Sequence, residues 1–143
     1  MTIKFMNNAR VDRMLYVLDH FENNYYFTRK DVVKDFMDGT QQILFDHNEP
    51  VAVFTLERII NRLHFKRFSI LDRNYGREYF KTALKLCIDE NLPIVITVLP
   101  TNAKVIAILK ELGMKKVDGR VKSQDGLHYY DLYETTNFDQ EAY

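Results

Sequence analysis

HFKRFSILDRNYGREYFKTALKLCIDENLPIVITVLPTNAKVIAILKELGM, residues 64–114, decides the fold. It reads as strand, tight turn, helix, buried strand and helix, which is one parallel βαβ unit with a further helix appended. The turn, Asp72-Arg73-Asn74-Tyr75-Gly76-Arg77, stands where a strand hands over to a helix. Backbone N–H groups and the helix dipole can hold an anion at such a place.

Working outward, Ile94 to Leu99 lies between Pro93 and Pro100 and is apolar on both faces apart from Thr97. That pattern predicts an internal strand covered by helices. It runs parallel to a strand over 63–71, joined by a right-handed crossover. Upstream, 42–46 and 51–60 alternate as strands, so the sheet begins as an antiparallel meander. Thr2 to Met6 predicts a first strand. Val11, Met14, Leu15, Leu18 and Phe21 then recur at helical spacing from Asn8. Asn23-Asn24 breaks that helix, and Tyr25-Tyr26-Phe27 is either a pocket wall or packing under the helices. Thr28 with Asp31 predicts a capping box opening a second helix, with Val32, Val33, Phe36 and Met37 on one face. Gly39 stands at its left-handed C-cap. Downstream, 115–121 is a weaker strand, Asp125-Gly126 a turn, and His128 to Tyr133 a final strand. The tail from Thr135 is polar and expected to fray.

The length of 143 residues with 46% apolar side chains predicts one packed domain spanning the chain. Twenty basic and twenty acidic residues cancel, which argues against nucleic acid as the main partner. No apolar run reaches the length of a membrane span, and the start lacks the core of a signal peptide. The expectation is a soluble, cytoplasmic protein. Cys87 is the only cysteine and falls in an apolar helical pattern, as a small buried thiol does. The four histidines stand apart without paired ligand spacing, so no metal is expected. No Ser nucleophile elbow and no Walker loop occurs.

Charge is uneven from Arg58 to Lys85: Arg58, Arg62, Lys66, Arg67, Arg73, Arg77, Lys81 and Lys85 face only Glu57, Asp72 and Glu78. Either a phosphate-bearing ligand or a solvated helix face beside a blunted strand edge accounts for this. Two stretches then carry a resemblance. The run Asn102 to Met114, with Val105, Ile106, Leu112 and Gly113 in register, resembles the helix after the fifth strand of the GNAT acyltransferase superfamily. The turn around Gly76 resembles that superfamily's pyrophosphate loop, with Arg73 and Gly76 fitting two anchors. Glu78 stands at the third anchor, and in an alternative register that matches Tyr75-Gly76 to the family's Arg-Gly, Glu78 and Phe80 stand at its two later glycines.

The resemblance implies an α/β (α+β) fold: a central mixed sheet of six or seven strands, helices on both faces, and the fourth and fifth strands, 63–71 and 94–99, parallel and splayed. It implies an N-acyltransferase moving an acetyl or other acyl group from acyl-coenzyme A to a primary amine on a small molecule or a protein. Cofactor contacts then fall on Phe68, Ile70, Leu71, Arg73, Tyr75, Gly76, Arg77 and Asn102. The family's usual acid is a Tyr on the helix after the fifth strand, and Leu109 stands there. Tyr133, with Tyr129 and Tyr130, could substitute as the acid or simply pack. Glu57 is the candidate base, its alternative being a surface partner of Arg58 or Arg62. His64 and Ser69 on the cofactor strand are further candidates, and an imidazole ordinarily titrates near neutrality. A degenerate member that binds coenzyme A or a protein without transfer is the rival reading. A shared final strand would allow a homodimer.

Overall fold

Thr28 opens a helix in the way its neighbours in the chain predict. The computed structural model describes residues 2–5, 17–19, 21, 28–71, 78–123 and 125–135. In helix α1 (Arg29–Met37) the Thr28 hydroxyl accepts the Asp31 N–H, and the Asp31 carboxylate accepts the Thr28 N–H at 2.8 Å. Gly39, at φ 72°, ends it: its N–H reaches the Phe36 carbonyl, and the Thr40 N–H reaches Asp35. This is the Schellman ending that a residue without Cβ permits. The buried stripe differs from the expected one. Val32 and Phe36 are buried, whereas Val33 and Met37 are exposed, and Asp35 takes the inner position between them.

Helix α2 (Glu78–Asp89) precedes β5, and α3 (Ala103–Glu111) follows it. The Asn102 side chain caps α3 by accepting the Val105 N–H. At its other end the Gly113 N–H bonds the Lys110 carbonyl and the Met114 N–H bonds Leu109, with Gly113 at φ 82°. Leu109 and Met114, the apolar pair that accompanies this ending, are both buried. The Leu-Gly-Met signature is thus a helix stop.

The strands are β1 (Thr2–Phe5), β2 (Gln41–Asp46), β3 (Glu49–Ile59), β4 (Arg62–Ile70), β5 (Ile94–Val98), β6 (Lys115–Lys122) and β7 (Tyr129–Glu134). They form one seven-stranded sheet in the order β1-β2-β3-β4-β5-β7-β6. The pairings are antiparallel for β1–β2, β2–β3, β5–β7 and β6–β7. The pair β4–β5 is parallel, over Leu63↔Ile94 and His64↔Val95, while β4 runs on to Ile70 and β5 to Val98. The mixed sheet with its short parallel pair is the expected one. The final strand lies between β5 and β6, with both edges paired within the chain. The outer strand is β6, whose Lys115, Lys116, Arg120 and Lys122 guard it against further pairing.

Contacts divide the chain into two compact units, 1–57 with 65–86 and 58–64 with 87–143. The first holds a core of Val17, Phe21, Val32, Phe36, Ile43, Phe45, Val53 and Leu71. In the second, Cys87, Ile94, Ile96, Val98, Leu109, Met114 and Tyr133 are buried. Thr135 belongs here too: it is buried and donates its N–H to the Ile94 carbonyl, so Thr135 itself is not frayed as expected. Most of the expected first helix, the aromatics 25–27, the turn 72–77 and the tail 136–143 lie outside the described residues.

Candidate functional site

In the first unit the β4 residues from Lys66 to Ile70 are only half-buried. Arg67, among them, adopts φ 54°, the left-handed region that side chains disfavour. A network fixes it there. Arg67 Nη1 donates to Asp35 Oδ1 at 2.6 Å, and Thr55 Oγ1 donates to Asp35 Oδ2 at 2.6 Å. Asp35 is the buried partner, which explains a carboxylate on the inner face of α1.

Around it the sequence-predicted residues sort themselves. Phe68 belongs to an aromatic cluster, stacked on Phe54 and Phe65 and edge-on to Phe80 at 5.3 Å. Phe80 is therefore turned toward the rings. Ile70 is half-buried on the same strand. Leu71 is a core residue whose N–H is bonded to the Val51 carbonyl, so that donor is committed within the protein. Glu57 forms an ion pair with Lys66, a different cation from the two nearest it in sequence. Glu78 begins α2 with its side chain exposed, adding negative charge where the helix dipole is positive.

The second unit carries a cleft of about 480 Å³. Its floor comes from alternate residues of neighbouring strands: His64 on β4, Val95 and Thr97 on β5, Leu132 on β7 and Val121 on β6. Registers place these on one face, since His64 pairs with Val95, Thr97 with Leu132 and Val121 with Tyr130. The β3–β4 turn, Ile59 to Arg62, forms its rim. His64 Nε2 lies 3.4 Å from Thr97 Oγ1, and Arg62 Nη1 donates to Glu134 Oε2 at 2.9 Å. The walls are otherwise aliphatic, and no carboxylate belongs to the described lining.

Tyr133 is buried and pairs with Ile96, so it points to the opposite face of β7 from Leu132. It does not reach the cleft that holds His64. Asn102 is the α3 cap, and Leu109 is buried and carries no proton to give. Arg73, Tyr75, Gly76 and Arg77 lie outside the described residues. Of the basic segment, Arg62, Lys66 and Arg67 each hold an acid, and all three stand on β4, an interior strand and not a blunted edge. Burial, and secondarily the charge of Glu90, pushes the Cys87 thiol up to about 12. Among the described residues there is no metal-binding group of side chains, and no helix is long and apolar enough to cross a membrane. Sequence reasoning missed the Asp35 network. It did register Thr97, as the one polar residue in an apolar strand.

An open mixed sheet whose parallel pair follows an antiparallel meander, with a helix on either side of the fifth strand in sequence, is the architecture of the GNAT acetyltransferases. The chain has this fold. It is similar to a GNAT-family acetyltransferase of Streptococcus agalactiae, with a TM-score of 0.68, 15% identity and 94% of each chain covered. It is also similar to the ribosomal-protein-S18-alanine N-acetyltransferase of Escherichia coli, at TM-score 0.63 and 16% identity, covering 93% of this chain and 90% of that one. A ribosomal L7/L12 α-N-protein acetyltransferase in complex with coenzyme A superposes at TM-score 0.57 and 15% identity, over 87% and 84%. No protein-family model and no curated protein matches the chain.

Proposed function

We propose that this protein is an N-acyltransferase that moves an acyl group from acyl-coenzyme A to a primary amine. The observation that carries it is the likeness over nearly the whole chain to acetyltransferases, one of them in complex with coenzyme A. The half-open surface of β4 supports the placement of pantetheine along Phe68 and Ile70. The start of α2 is where an anionic pyrophosphate would be favoured by the helix dipole. Several similar structures are ribosomal-protein N-acetyltransferases, so a protein N-terminal amine joins small amines as an acceptor class.

In the reaction the amine lone pair attacks the thioester carbonyl carbon, the C–S bond breaks, and coenzyme A leaves as its thiol. The amine must be neutral to attack. His64 is our candidate to take its proton, because Glu57 is engaged by Lys66. With Leu109 in place of a Tyr and Tyr133 turned to the other face, the thiolate takes its proton from solvent. Holding the two reactants together then supplies most of the acceleration.

Leu109 and Glu78 also favour a second reading, binding of coenzyme A without transfer. Acetyl-coenzyme A at about 100 times its dissociation constant should stabilise the protein by ~2.7 kcal/mol. No thermal shift at millimolar acetyl-coenzyme A refutes both readings. A shift without transfer to any of a panel of amines and N-terminal peptides selects the second. Transfer that His64→Gln slows at neutral pH, with its pH profile altered, selects the first.

A further inference from the structure

The cleft of the second unit sets an imidazole beside an aliphatic wall. His64 Nε2 lies 3.4 Å from Thr97 Oγ1, and Val95, Val121 and Leu132 line the same cavity of about 480 Å³. Every described lining residue belongs to that unit. Arg62 is met by Glu134 at 2.9 Å, so its charge is already answered, and the described lining holds no carboxylate to receive an ammonium. A neutral amine enters such a place at little cost, whereas a charged one gives up its hydration for no counter-ion. At pH 7 a peptide α-amine, with an ordinary pKa of about 7.7–8.0, has roughly 300 times the neutral fraction of a lysine ε-amine.

The rim adds a second observation. Ile60 opens the two-residue turn between β3 and β4 at φ 57°, and it is 90% exposed. A β-branched residue is an outlier in the left-handed region, where such turns ordinarily use Gly, Asn or Asp. At that exposure no burial offsets the strain. A hydrocarbon in the cleft would bury Ile60, which belongs to the lining.

We propose that this cleft holds the acceptor amine and selects a peptide α-amine whose first side chain is a large aliphatic one, with Ile60 covering it. This rests on the N-acyltransferase reading above and on His64 as the group that takes the amine's proton. The bonds made and broken stay as described there. The cleft adds selection through the hydrocarbon next to the reacting nitrogen.

The test is calorimetry at pH 7 on the intact protein with the tripeptide amides Leu-Gly-Gly, Ala-Gly-Gly and Gly-Gly-Leu and with acetyl-Gly-Gly-Lys amide. Acetyl transfer to each from acetyl-coenzyme A is measured alongside. Leu-Gly-Gly should bind at least tenfold tighter than the others, since its three carbons beyond Ala are worth about fourfold each when buried. In Val121→Asp, at a position 42% exposed and so tolerant of substitution, the preference for Leu over Ala should fall below twofold. Ile60→Asn suits a left-handed backbone, so it should raise the urea midpoint and yet lower the same preference. An unchanged preference in either variant overturns the site. Equal affinity for Leu-Gly-Gly and Gly-Gly-Leu, or equal transfer to the lysine peptide, overturns the selection of an α-amine beside hydrocarbon. Transfer to the Leu and Ala peptides within twofold overturns the proposal and leaves the transferase reading standing. No binding of acetyl-coenzyme A and no transfer to any peptide overturns both.

Discussion

Replacing Arg67 by Met removes the cation from the most buried carboxylate among the described residues of the first unit. Asp35 Oδ1 loses its 2.6 Å partner and keeps only the Thr55 hydroxyl on Oδ2. The Asp35 side chain is 3% exposed against 25% for Arg67, so water can reach the arginine more readily than the aspartate. Breaking a buried pair from the side that leaves the buried charge costs about 3–5 kcal/mol, well above the ~1.5–3 kcal/mol of one charged hydrogen bond. Asp35→Asn leaves the more exposed arginine to be hydrated, and should cost less than Arg67→Met. Urea unfolding followed by circular dichroism is the assay. With a slope of about 2 kcal/mol/M, Arg67→Met should move the midpoint down by about 2 M. The double variant should lose less than the sum of the two single losses, because the charges are coupled. A loss below about 1 kcal/mol for Arg67→Met at unchanged slope, or strict additivity in the double variant, refutes the argument that this pair pins the left-handed residue of β4.

Three other outcomes are expected. Glu78→Gln removes a negative charge from the first turn of α2, so coenzyme A should bind about two- to fivefold tighter in calorimetry if its pyrophosphate sits there. Gly113→Ala should cost about 1 kcal/mol in urea unfolding, a purely conformational penalty at φ 82°, because nothing lies within 4 Å of the added Cβ. Cys87 should resist a thiol reagent such as dithionitrobenzoate until the protein unfolds. Its thiol keeps its proton to about 12 when folded against an ordinary 9.0, so the folded state binds the extra proton in that window. Stability should therefore fall as pH rises above ~9, by at most about 1.4 kcal/mol per unit. Cys87→Ala should lack that component when urea midpoints are compared at pH 8 and pH 10.

Burial of Cys87 illustrates what a short stretch of sequence carries. Its apolar helical surroundings were legible, and so was its fate. The same holds for the capping box at Thr28 and Asp31, the left-handed ending at Gly39 and the two-sided apolar run of β5. Each of these is decided by a few neighbouring residues, because capping, turn and periodicity forces act within one or two turns of chain. Even the parallel relation of β4 and β5 follows from the helix between them.

Three features came only from the tertiary structure. Alternation on β7 offered two faces and did not say which turned inward, so Tyr133 went into the core and Leu132 to the cleft. The place of β7 between β5 and β6 depends on pairings between distant segments, which local signals do not encode. Asp35 sits on the inner face of α1 because Arg67 and Thr55, 32 and 20 residues away, meet it there. Among the described residues, sequence by itself determined which elements form, since those forces are local. Which side chains share a surface was left to the tertiary structure, because burial and charge pairing are settled only when remote strands are brought together.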